Sequence, residues 1–96
     1  MDNDSPRVIE TDRFKEEADR LFESGDEAFR AAIVWALARN PFFGQQVIDS
    51  DQRVWVLYRS GFAYLAFYSI SGNVITLESI IKRKTPIAPG PLGLEP

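Results

Sequence analysis

From Arg53 onward the chain falls into three apolar runs, RVWVLY, FAYLAFYSI and NVITLESII, separated by Ser60-Gly61 and by Ser71-Gly72-Asn73. Turn residues at that spacing predict an antiparallel meander of three strands. The middle run is apolar at nearly every position, which predicts a central strand covered on both faces. Upstream the period lengthens. Phe14, Ala18, Leu21 and Phe22 make one helical stripe that Thr11 or Asp12 can cap and Ser24-Gly25 can end. A second helix, EAFRAAIVWALAR, starts at a capping Asp26 and stops at Asn40-Pro41, because the residue before proline is driven out of the helical region. Phe29, Ile33, Ala36 and Leu37 form one face of it. Ala31, Ala32, Val34, Trp35 and Ala38 fill most of the remainder, so this helix is expected to be covered on more than one side. Arg7 to Glu10 reads as a short strand after Pro6, and NPFFGQQVIDSDQ as the one long irregular connection. The expected order is β-α-α-β-β-β: an α+β fold in which a helical hairpin packs on a small antiparallel sheet.

At 96 residues, 45% of them hydrophobic, the chain is long enough for one core without disulfides or metal. A single domain is expected over residues 1–84, followed by a tail, 85–96, too rich in proline and glycine for regular structure. With no cysteine and no histidine, thiol nucleophiles, zinc sites and the usual neutral-pH proton carrier drop out. No cofactor and no metal is expected, and any chemistry falls to Lys, Arg, Tyr, Ser or carboxylates. Asp49-Ser50-Asp51 reads as a solvated turn in preference to a cation site. The N-terminal MDNDSPRVIE has no apolar stretch, which predicts a cytoplasmic protein without a secretory leader. The uncharged run from Ser60 to Leu77 is broken by turn residues, so no membrane span is expected.

Charge sharpens the picture. The net value of -3 conceals -6 over residues 1–27 and +3 over residues 28–96, with Lys82, Arg83 and Lys84 consecutive at the end of the last apolar run. In a meander, the end of that strand lies beside Phe62 and Arg59, so the sheet is expected to gather Arg59, Tyr64 and the three cations at one rim. Alternation puts Lys82 and Lys84 on one face and Arg83 on the other.

Three stretches together, RVIETDRFKEEADRL, LARNPFFG and RVWVLYRSGFAYLAFYSISGNVITLESIIKRK, resemble the RelE/ParE superfamily of bacterial toxins from type II toxin-antitoxin modules. The match runs from about Arg7 to Lys84. What the resemblance implies is a growth-arresting toxin held inactive by a cognate protein antitoxin. Some relatives are mRNA interferases that cleave messenger RNA on the ribosome; others bind DNA gyrase and are not nucleases. A noncatalytic interaction module on the same fold is a further alternative. For metal-free cleavage through the 2′-hydroxyl, which needs a base, cations for the phosphorane and a proton donor, the candidate catalytic residues are Arg53, Lys82, Arg83, Tyr64 and Tyr68. Arg59 and Lys84 are candidate phosphate contacts. Val34, Trp35 and Ala38 are candidate antitoxin contacts. The chain departs from the nuclease pattern in having no charge between Phe62 and Ile70, where such relatives often carry an arginine, and its pI near 4.8 opposes general attraction to RNA.

Overall fold

The computed structural model describes residues 6–22 and 26–85. Its elements are β1 (Arg7–Glu10), α1 (Asp12–Leu21), α2 (Glu27–Arg39), β2 (Gln45–Gln46), β3 (Gln52–Arg59), β4 (Phe62–Ser71) and β5 (Val74–Lys84). The strands form one sheet in the order β1-β5-β4-β3-β2.

This overturns the expected fold in three respects. The sheet is mixed, because β1 runs parallel to β5, with Arg7 beside Val74 and Glu10 beside Leu77. It also has a fifth strand: Gln45 and Gln46, inside the stretch read as irregular, pair antiparallel with Val54 and Arg53. Strands of up to eleven residues hold more of the chain than the two helices, so the fold is a sheet with helices on it and not a helical hairpin on a small sheet. The physical reason is that two glutamines carry no hydrophobic alternation, and strand direction leaves no trace in periodicity.

Local chemistry explains the elements. Ser60 and Gly61 both have positive φ (53° and 82°), as the two-residue turn between Arg59 and Phe62 requires. Thr11 caps α1, its hydroxyl accepting from Phe14 N–H at 3.1 Å while donating to Glu78 C=O at 3.2 Å. α1 ends at Leu21, with Phe22 extended; the expected stop at Ser24-Gly25 lies outside the described residues. α2 ends at Arg39, with Asn40 extended before Pro41, as the sequence predicts.

The core lies between the helices and one face of the sheet. Phe14 and Ala18 of α1 and Ile33 and Leu37 of α2 meet Tyr64, Ala66, Tyr68, Ile75, Leu77 and Ile80. β4 is central, but its other face is not covered: Ala63, Leu65 and Phe67 are only half-buried, and no described helix lies over them. Nor is α2 enclosed. Ala31, Ala32 and Trp35 are exposed, Trp35 to 62%.

A bulge near Phe67 and Tyr68 breaks the β4–β5 ladder, and Ser79 and Ile80 are buried in succession there. The Ile80 N–H is taken up by Glu17 Oε1 of α1 at 2.9 Å. Burial raises the Glu17 pKa, but the Ile80 N–H, the Arg13 guanidinium and Ser79 more than offset it, leaving the carboxyl below its ordinary value.

Candidate functional site

Two groups of candidate residues form, at opposite ends of the sheet. At the first, Arg59 pairs with Phe62 across β3 and β4, and Phe62 with Lys84 across β4 and β5. Tyr64 stands beside Lys82 and Ala63 beside Arg83. Because β5 continues to Lys84, Lys82 and Lys84 share the helix-covered side with Tyr64, and Arg83 the opposite one. Thr85 closes this end, donating to Gly61 C=O through N–H at 3.1 Å and Oγ1 at 2.8 Å.

The rim is not an array of free cations. Lys82 Nζ lies 4.2 Å from the Phe62 ring centroid and 5.7 Å from that of Tyr64. Arg59 donates to Asp26 Oδ1 at 2.8 Å and rests over Phe29 at 4.7 Å. Tyr64 is buried, its ring packed with Phe22 and Phe29. Among the described residues no carboxylate pairs with Lys82, Arg83 or Lys84. These three can therefore meet an anion arriving from outside, at an exposed strand end where the attraction is screened by salt.

Arg53 and Tyr68 sit at the second group, paired with each other across β3 and β4. Four residues of strand separate Tyr68 from Tyr64, roughly 13 Å. Tyr68 is closed to solvent. Its hydroxyl donates to Pro41 C=O at 2.7 Å and accepts from Gly44 N–H at 2.8 Å. Arg53 grips the same loop, Nε and Nη2 donating to Gly44 C=O at 3.0 and 2.7 Å, with the guanidinium 5.2 Å from the Phe42 ring. Gly44 is required by close approach: a Cβ there would stand 2.7 Å from both Tyr68 Oη and Val54 O. Both residues thus pin the α2–β2 connection. The structure brings Arg59, Tyr64, Lys82, Arg83 and Lys84 together and leaves Arg53 and Tyr68 apart from them.

The α2 candidates divide as well. Trp35 is exposed with Arg39 stacked 4.6 Å from its ring, whereas Val34 and Ala38 are half-buried. Beside Trp35 runs a shallow groove floored by Ala31 and Val34 and edged by Glu10, Glu27 and Arg30. Arg30 is anchored there by Glu10 and Asp19, each at 3.0 Å. The Glu10 hydrogen bond raises its pKa most, burial opposes this, and Asp19 adds to the rise.

One polar cluster went unrecognised in the sequence. On the helix-free face, Glu78 accepts from Gln52 Nε2 at 2.6 Å and from Ser69 Oγ at 2.8 Å, although the three are far apart in sequence. Only the register of β3, β4 and β5 unites them. Among the described residues no group of carboxylates is placed to hold a metal ion, and no helix is long and apolar enough to cross a membrane. No protein-family model matches the chain, and no curated protein matches it either.

Proposed function

We propose that the protein acts by binding other proteins, as a noncatalytic toxin of a type II toxin-antitoxin module: it arrests growth by occupying a target such as DNA gyrase, and a cognate antitoxin keeps it inactive. The observation that carries this reading is the separation of the candidate nuclease groups. Cleavage through the 2′-hydroxyl requires base, phosphorane-stabilising cation and proton donor around one phosphate. Here Arg53 and Tyr68 are committed to the Pro41–Gly44 loop, about 13 Å along the strand from Lys82. Tyr64 is buried among phenylalanines. Among the described residues apolar surface is exposed on α2 around Trp35 and on the helix-free face of the sheet. Exposed apolar surface edged by charge is what protein interfaces are made of. The antitoxin is assigned to α2, where Trp35 supplies an aromatic anchor flanked by Val34 and Ala38.

Uptake of labelled thymidine and labelled methionine within minutes of inducing this chain alone in bacteria tests the reading. Thymidine incorporation is expected to fall first, and the triple variant Lys82→Ala, Arg83→Ala, Lys84→Ala to lose no RNA-cleaving activity because none is present. Early loss of methionine incorporation with cleaved messenger RNA would return the rim to a nuclease role, and an unaffected culture would remove the toxin assignment altogether.

A further inference from the structure

We propose that the outer edge of β3 pairs with the same edge of a second copy of this chain, antiparallel about Leu57, joining two five-stranded sheets into one continuous sheet. β3 runs from Gln52 to Arg59, yet β2 covers only Arg53 and Val54. No described strand pairs with the outer side of Trp55 to Arg59. The backbone leaves that edge at Gly44, whose N–H turns inward to the Tyr68 hydroxyl.

An uncovered strand is ordinarily protected by lysine, proline, a bulge or shortness. The opposite edge is β1, four residues long with Arg7 and Glu10, and beyond it the outer side of β5 past Leu77, which carries Glu78, Lys82, Arg83 and Lys84. β3 has no such protection between its flanking arginines: Val54, Trp55, Val56, Leu57 and Tyr58 are uncharged, and its pairing with β4 is regular throughout. Exposed large apolar side chains also concentrate here. Phe42, Phe43, Ile48, Val56 and Tyr58 lie on β3 or on the loops around β2, with Tyr58 74% exposed. Phe43 stacks on Trp55 at 5.0 Å, extending the apolar margin beside the strand.

The occupant is identified by the symmetry of the free segment. It is five residues long and centred on Leu57. A two-fold axis through that point sets Leu57 against Leu57 of the second copy, Val56 against Tyr58 and Trp55 against Arg59, with the helices of both copies on the same side. An apolar pair, Val56 with Tyr58, then falls on the open face, which is favourable across a strand pair, while Arg59, held by Asp26 and Phe29, falls opposite Trp55 without a like charge against it. Centring on Val56 would instead oppose Arg59 to Arg53 and collide with β2. A closed two-fold contact of this kind uses one patch twice and ends there, leaving no free β3 edge. This interface is independent of the toxin reading and lies across the sheet from Trp35.

The chain has no cysteine of its own, so single-cysteine variants report the register directly. Residues facing each other in an antiparallel pair have Cα atoms about 4.5–5.5 Å apart, within disulfide reach. Sedimentation equilibrium of the full chain across the micromolar range is expected to give the mass of a dimer. Leu57→Cys is expected to oxidise to a covalent dimer, while Leu65→Cys, one strand inward, stays a monomer under reducing-free denaturing electrophoresis. Tyr58→Lys, at a position too exposed to threaten folding, is expected to weaken association at least tenfold. A wild-type chain that is monomeric throughout would overturn the proposal. So would a dimer that survives Tyr58→Lys and fails to crosslink through Leu57→Cys, since it would use another surface; such a chain binding an extended apolar peptide at β3 would reassign the edge to a different protein.

Discussion

The two faces of the sheet are made from similar residues and have different fates. On one, Tyr64, Ala66, Tyr68, Ile75, Leu77 and Ile80 lie beneath α1 and α2 and are nearly closed to solvent. On the other, Val54, Val56, Leu65, Phe67 and Ile81 alternate with them and are half-buried or exposed. Hydrophobic burial stabilises in proportion to area removed from water, so the first face carries most of the stability. The second leaves apolar area open to solvent among the described residues. Apolar alternation therefore marks where a surface can bury itself, and what covers it is decided by the topology.

The largest contrast is expected from truncating neighbours on opposite faces. Tyr68→Ala removes a fully buried ring and both of its bonds to the Pro41–Gly44 loop, and should cost about 3–5 kcal/mol in urea unfolding. Phe67→Ala, the adjacent residue on the open face, should cost about 1 kcal/mol. Equal losses would mean that the open face is covered after all.

Glu17 tests how the covered face tolerates its bulge. Glu17→Ala leaves the Ile80 N–H without its acceptor and should cost about 1–3 kcal/mol. The sign with pH follows from the lowered carboxyl. Its contribution is present above the ordinary carboxylate range and is lost as pH falls through the depressed folded value. Acid unfolding of the variant should therefore be less steep than that of the wild type, and an unchanged acid limb would show that Glu17 is not what couples folding to protons here.

The smallest effect is expected on the open face itself. Val56→Thr should change stability by no more than about 0.5 kcal/mol while weakening self-association measured by sedimentation. A thermal midpoint that falls with no change in association would assign Val56 to the core and not to an interface.

Much of this was legible from residue spacing. The three-strand meander, the stripe Phe14-Ala18-Leu21-Phe22, the Asn40-Pro41 stop and the convergence of Arg59 with Lys82 and Lys84 follow from local turn chemistry and alternation, and β3, β4 and β5 fall where those rules place them. Long-range features did not follow. The parallel partner of β1 depends on how the chain returns after two helices, and β2 has only two polar residues. Arg53 and Tyr68 look like reactive residues in a list of side chains; only the approach of Gly44 turns them into fasteners. Leu65 reads as part of a strand covered on both faces because its run is apolar throughout, and apolarity cannot report that no described helix lies above its outer side.

The parallel pairing of β1 with β5 also sets an order of assembly. Arg7 meets Val74, so β1 precedes the one described strand it pairs with by both helices and most of the meander. The meander can close through two-residue turns as it is made, whereas β1 joins it only after most of the domain has been synthesised, at the entropic cost of a long loop. During that interval β5 itself offers a bare flank on the side that β1 will fill. The β1–β5 seam is thus the one strand pairing of the described fold that no local turn can close.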